Sequence, residues 1–216
     1  KAIAGSDTLK QLTELNLNYN LITGPGAIEL TRSKKLRQLH KIELAYNPIE
    51  KSGKRAWKRF QLMEWFKDLH RNNRLNQVGE GLIGDFGVMV LLDFPFVSEL
   101  ETLDLKNNGL TDEAVIALSQ SKRLNSLVSL NLSQNNITDA GAQALGISQN
   151  LERLKTLNLN FNRIGDEGAR AIAESPRLAN LESLKLGQNK IGTEGARALN
   201  ESENLKNLIH PIFGFY

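Results

Sequence analysis

LKTLNLNFNRIGDEGARAIA, from Leu154 to Ala173, contains the pattern from which the rest of the chain can be read. Leucines at 154, 157 and 159 form an L-x-x-L-x-L ladder; Asn162 and Ile164 follow, and then small and apolar residues run on at helical spacing. The same phrase returns with its asparagine at Asn20, Asn47, Asn108, Asn135, Asn162 and Asn189, and once with Gly81 in the asparagine's place. Successive anchors lie 27 residues apart, except for the step from 47 to 81, where 34 residues imply a single seven-residue insertion. A fixed period in this range is the signature of a solenoid.

The copies agree position by position. Counting back eight, five and three from each asparagine gives Leu12, Leu15 and Leu17; Leu39, Ile42 and Leu44; Leu100, Leu103 and Leu105; Leu127, Leu130 and Leu132; Leu154, Leu157 and Leu159; and Leu181, Leu184 and Leu186. The period-two pair in each triplet predicts a short strand with one buried face. Counting forward ten and sixteen gives pairs such as Leu118 and Leu124, Leu145 and Leu151, and Ile172 and Leu178. Between strand and return, segments such as Gly168 to Ala173 and Gly195 to Leu199 predict helices able to sit close on the strand layer. One strand and one helix cannot bury their apolar faces alone, and parallel neighbours need a crossover, here the helix. The expectation is an α/β solenoid with a parallel sheet on one face and helices on the other.

On these residues the chain resembles the leucine-rich repeat family. The 27-residue period and phrases such as Asn162-Arg163-Ile164-Gly165-Asp166-Glu167-Gly168-Ala169-Arg170-Ala171 are similar to its ribonuclease-inhibitor-like subfamily. The resemblance implies a horseshoe arc with the sheet on the concave face and helices on the convex face, often engaging another protein in the hollow. Regular, cysteine-free copies also resemble bacterial repeat proteins, including effectors that pathogens deliver into host cells.

The buried asparagines are predicted to be structural, their amides serving backbone groups of adjacent turns. Asp112, Glu113, Asp166, Glu167 and Glu194 fall near helix starts, where negative charge suits the dipole, and are expected to be caps. The whole chain, 1–216, is expected to be a single domain of about seven repeats with partial repeats at both ends, a preceding strand lying before residue 1. The closing run His210 to Tyr216 reads either as a lid on the last repeat or as a recognition motif. With 40% hydrophobic residues and no run approaching the length of a membrane span, the chain reads as soluble; without cysteine it has no disulfides and no thiolate chemistry.

Composition departs from the repeat only at the irregular insertion, about residues 50–80. From Pro48 to Glu80 eight Lys or Arg stand against four Asp or Glu, while the whole chain carries only +3. Trp57, Phe60, Leu62, Trp65, Phe66 and Leu69 can line one stripe of a helix. Two readings stand side by side: a longer helix whose bulky residues fill space between repeats, or a basic, aromatic contact surface using Arg55, Trp57, Arg59 and Trp65. The small net charge argues against nucleic acid as the main partner.

Alternation turns the residues six, four and two before each asparagine outward, with the preceding residue on the rim. The candidate partner-binding residues are Glu14, Asn16, Asn18, Tyr19, Lys41, Glu43, Tyr46, Asp104, Lys106, Asn131, Asn158, Asn160, Phe161 and Lys185, on a face that also includes Thr102, Ser129, Ser133, Thr156 and Ser183. Tyr19, Tyr46 and Phe161 supply its bulk and are the candidate anchors. Catalysis has little support. His40, His70 and His210 lack partners at metal-ligand spacing, no nucleophile elbow is present, and Glu14 with Glu43 is the nearest approach to a carboxylate pair. No metal, cofactor or membrane is expected. The preferred reading is a monomeric, non-enzymatic module that binds a folded protein in the cytoplasm or a host cytosol, inhibiting an enzyme by occluding its cleft. The alternatives are a GTPase regulator and the recognition domain of a larger enzyme.

Overall fold

The computed structural model describes residues 2–76, 78 and 83–209, so Gly81 and the run from His210 to Tyr216 lie outside the described residues. The chain divides into two compact units, Lys1–Asp68 and Leu69–Tyr216.

In the first unit, strands β1 (Glu14–Asn16) and β2 (Lys41–Glu43) pair in parallel with Leu15 opposite Ile42, the 27-residue offset read from the sequence. Helix α1 (Gly24–Thr31) follows β1, and α2 (Lys51–Arg71) follows β2, the unit boundary falling inside α2 after Asp68. The core is Ala27, Leu30, Leu36, Leu39, Ile42, Leu44 and Ile49, with Trp57 and Phe60 of α2 packed against it. Gly24 and Gly53 allow α1 and α2 to touch, since a Cβ on Gly53 would lie 2.6 Å from the Gly24 Cα. Leu12, Leu15 and Leu17 are only half-buried, whereas Leu39, Ile42 and Leu44 of the next copy are buried.

In the second unit, β3 (Thr102–Asp104), β4 (Ser129–Asn131), β5 (Thr156–Asn158) and β6 (Ser183–Lys185) form one parallel sheet in chain order. Leu103, Leu130, Leu157 and Leu184 stand in register down its middle and are buried. Helices α3 (Gly84–Leu92), α4 (Asp112–Gln120), α5 (Asp139–Gly146), α6 (Asp166–Ala173) and α7 (Thr193–Asn200) alternate with the strands. The small residues were a packing signal: Gly168, Ala169, Ile172 and Ala173 form the buried stripe of α6. Burying a leucine such as Leu130 completely is worth about 1.5–3 kcal/mol, and the ladder supplies that at every step.

Strands of three residues leave many backbone groups without a sheet partner, and three side-chain ladders satisfy them. In the first, each repeat asparagine serves the turn before it. Asn135 Nδ2 donates to the carbonyls of Leu105, Leu132 and Ser133, while its Oδ1 accepts from the amides of Asn108 and Leu110. Asn47, Asn108, Asn162 and Asn189 repeat the bond to a carbonyl thirty residues earlier. Asn20 is exposed and bonds only to Leu17 and Asn18.

The second ladder corrects the expected capping. Asp112 and Asp166 do not cap their own helices; each caps the next one. Asp112 accepts from the amides of Thr138 and Gly141 at the start of α5, Asp139 from Gly165 and Gly168 at the start of α6, and Asp166 from Gly192 and Gly195 at the start of α7. The reason is chemical. The N-cap residues of α6 and α7 are glycines without a side chain to bond the first turn, so the preceding repeat lends a carboxylate. Gly168 is needed because a Cβ there would lie 2.6 Å from Asp139 Oδ1. The third ladder joins helix C-termini: Ser148 and Ser202 hydroxyls donate to the carbonyls of Ser119 and Ala173, and Ser175 does the same to Gly146.

Candidate functional site

On the strand face of the first unit the sequence-predicted residues come together. Lys41 Nζ lies 3.4 Å from Glu14 and 3.1 Å from Glu43. The Glu43 carboxylate, and then that of Glu14, raise the Lys41 pKa above its ordinary value, so the ammonium stays charged throughout the neutral range. Glu43 also accepts from Asn16 Nδ2 at 2.7 Å and Asn18 Nδ2 at 3.2 Å. The result is a neighbourhood of two carboxylates and one cation with fixed hydrogen-bond directions.

Beside it, Tyr19 and Tyr46 stack with centroids 4.3 Å apart and planes 8° apart. They remain 75% and 73% exposed. Both have φ of 57°, in the left-handed region that non-glycine residues seldom occupy. The backbone imposes this conformation: Tyr19 N donates to Ala45 O, continuing the parallel ladder past the strand, and the chain must then reverse to bring Asn20 inward. Every residue before a repeat asparagine shares it, namely Tyr19, Tyr46, Asn107, Gln134, Phe161 and Gln188. The left-handed kink swings the side chain onto the rim, which is why two bulky rings can lie flat on one another in water.

On the strand face of the second unit, Asp104, Lys106, Asn131, Asn158, Asn160, Phe161 and Lys185 occupy the outward positions. Phe161 is 52% exposed on the rim. Lys106 and Lys185 are exposed, but the shorter polar residues are engaged with the backbone. Asp104, Asn131 and Asn158 each accept from the amide two residues on, and Asn160 accepts from Gly187 N at 2.8 Å. In the first unit Asn16 and Asn18 do the same for Asn18 N and Ala45 N. Their side-chain oxygens are thus turn-forming, while in the first unit the NH2 groups of Asn16 and Asn18 are held by Glu43. Ser133, expected outward, is buried, its hydroxyl 2.8 Å from Asn131 Oδ1.

The candidate surface on the insertion divides. Arg55 and Arg59 are exposed on α2, whereas Trp57 and Trp65 are half-buried and Phe66 is fully buried. The Trp57 indole donates to Ile42 O at 2.9 Å, and its ring packs on the unit's core. Trp57 is therefore part of the structure that holds α2 on β2. Among the described residues there is no group of three or more His, Asp or Glu side chains able to hold a metal, and no helix long and apolar enough to cross a membrane.

A sequence profile described as Leucine Rich repeat matches residues 9–30, 99–119, 123–146, 153–173 and 177–199, together just over half of the chain. The chain belongs to the leucine-rich repeat family. Leucine-rich repeat proteins generally mediate protein–protein interaction and are typically non-enzymatic, their stacked repeats presenting extended binding surfaces. No curated protein sequence matches the chain. Among solved structures, an internalin (inlF) from Listeria monocytogenes aligns with 93% of this chain and 86% of its own at 17% identity, with a TM-score of 0.24. A superposition that loose carries no argument about fold or partner.

Proposed function

We propose that this leucine-rich repeat chain is a non-enzymatic recognition module that binds a folded protein through its strand face, with the stacked Tyr19–Tyr46 pair as its anchor. The observation carrying this reading is the exposure of that pair. Two large rings with few rotatable bonds, already fixed against one another, can bury area in an interface at small entropic cost, and aromatic residues dominate interface energetics. Glu14, Lys41 and Glu43, on the same two strands, add directional charge suited to selecting a partner rather than to supplying affinity. On the second unit's own strand face, Phe161 with Lys185, Lys106, Asp104 and the amides of Asn131, Asn158 and Asn160 forms a candidate surface of the same kind.

Within the same reading the chain acts as one repeat domain of the ribonuclease-inhibitor-like type, supported by helices of eight or nine residues in each copy from α3 to α7. It inhibits an enzyme by covering that enzyme's cleft. Its regular, cysteine-free repeats favour a bacterial source and delivery into host cytosol. The test is affinity capture with the intact chain, followed by titration calorimetry of any captured protein against Tyr19→Ala, Tyr46→Ala and Phe161→Ala. At least one tyrosine variant loses about 1–4 kcal/mol of binding at unchanged melting temperature. Undiminished binding by all three rules out the strand face.

A further inference from the structure

A groove on the helix side of the first unit lies between α2 and the end of α1 with its return, and has an open volume of about 280 Å³. Half-buried Phe60 and Met63 of α2 form its floor. Arg32, Arg37, Arg59 and Lys67 form its rim, and Glu64, paired with Lys67, is its one lining carboxylate. The rim charge belongs to a wider imbalance. Residues 1–68 hold thirteen Lys and Arg against seven Asp and Glu, a net of +6, whereas residues 69–216 hold fourteen against seventeen, a net of −3. The near-neutral total conceals a strongly basic unit.

We propose that this groove is a second binding surface that takes an acidic protein segment bearing one apolar side chain. Three guanidinium groups around an apolar floor match carboxylates flanking such an anchor, since arginine binds carboxylates through paired N–H donors. The volume sits at the low end of ligand pockets and suits one or two side chains, not a cofactor. The surface also fits a protein better than a single-stranded nucleic acid. Bases need exposed aromatic faces on which to stack, and the one ring lining this groove, Phe60, is half-buried against the core. The groove lies on the helix side, away from the tyrosine pair, so it can be occupied independently of the strand face.

The test is fluorescence anisotropy of the intact chain with a labelled short peptide of Asp and Glu carrying one central Leu, alongside the same peptide with Ser in place of Leu. The Leu peptide binds saturably, and the Ser peptide binds about tenfold more weakly, in keeping with loss of one buried aliphatic side chain. The doubly reversed Arg37→Glu, Arg59→Glu chain loses about tenfold or more, as like charges come to face one another. Lys106→Glu on the second unit and Tyr46→Ala on the strand face leave peptide affinity unchanged. Circular dichroism melts accompany each variant; if the double reversal unfolds, the comparison of Leu and Ser peptides on the unaltered chain decides. Equal affinity for the two peptides, absence of saturation, or tighter binding of an oligo-dT of similar length overturns the proposal. None of these outcomes touches the strand-face reading, which is read separately through Tyr19 and Tyr46.

Discussion

Replacing Asn135 by alanine isolates what the asparagine ladder contributes. The side chain is almost fully buried and makes five bonds: three from Nδ2, to Leu105, Leu132 and Ser133, and two to Oδ1, from Asn108 and Leu110. Alanine removes every one of them and strands two amides in a dry corner. An unsatisfied buried group costs about 1–3 kcal/mol, so two orphaned donors alone imply a loss of about 2–6 kcal/mol. Water entering the space left behind offsets part of this and places the expected value near 3 kcal/mol. Asn20→Ala is the internal comparison, because Asn20 is exposed and bonds only within its own turn; it costs less than about 1 kcal/mol. Urea unfolding followed by far-ultraviolet circular dichroism gives both values. Amide exchange of the β3 to β5 peptides then shows whether the loss is local to the two turns that Asn135 joins. A shift for Asn135→Ala no greater than that for Asn20→Ala refutes the assignment of the asparagines as the structural link between repeats.

Gly168→Ala sets a Cβ 2.6 Å from Asp139 Oδ1 and 2.7 Å from Ile164 Cγ2, so calorimetric melting is expected to show a loss of about 1–3 kcal/mol. Leu130→Ala, at the centre of β4, costs about 2–5 kcal/mol in the same assay without touching any exposed residue. Phe161→Asn behaves in the opposite sense: a residue that tolerates left-handed backbone replaces one that does not, and stability rises by about 0.5–1 kcal/mol while partner affinity falls. A drop in melting temperature would contradict the left-handed geometry. The raised pKa of Lys41 contributes stability that is fully present below the ordinary lysine value and lost as pH climbs through the raised one; in Glu43→Gln, nitrogen-detected NMR finds the Lys41 titration moved back down.

The sequence made the repeat legible because Leu and Asn have few roles that recur at one phase. Leu103, Leu130, Leu157 and Leu184 are buried in register as their spacing required, and the asparagines bond backbone as their chemistry suggested. Asp112 and Asp166 were equally periodic but easily misread, since an acid in a first turn also suits its own helix dipole. For α6 and α7 the distinguishing sign was the residue before the helix: Gly165 and Gly192 have no side chain to cap with, so these helices borrow an acceptor. The left-handed backbone at Tyr19, Tyr46 and Phe161 was not legible, because it comes from sheet bonds to the neighbouring repeat and not from any preference of the residue itself. Trp57 was ambiguous for a related reason: an indole in a basic helix serves a partner or a core equally well until the acceptor, Ile42 O, is located.

The aspartate ladder has one more implication. Each carboxylate is donated forward to a helix that cannot begin well without it, so a copy is chemically complete only beside its predecessor. Splicing out or duplicating one whole period leaves every donor facing the acceptor it expects, whereas adding or deleting one residue inside a copy misaligns the joint it makes with its neighbour. A chain built on such terms lengthens or shortens by entire copies, and its span can be tuned to the size of what it grips without redesigning a single joint.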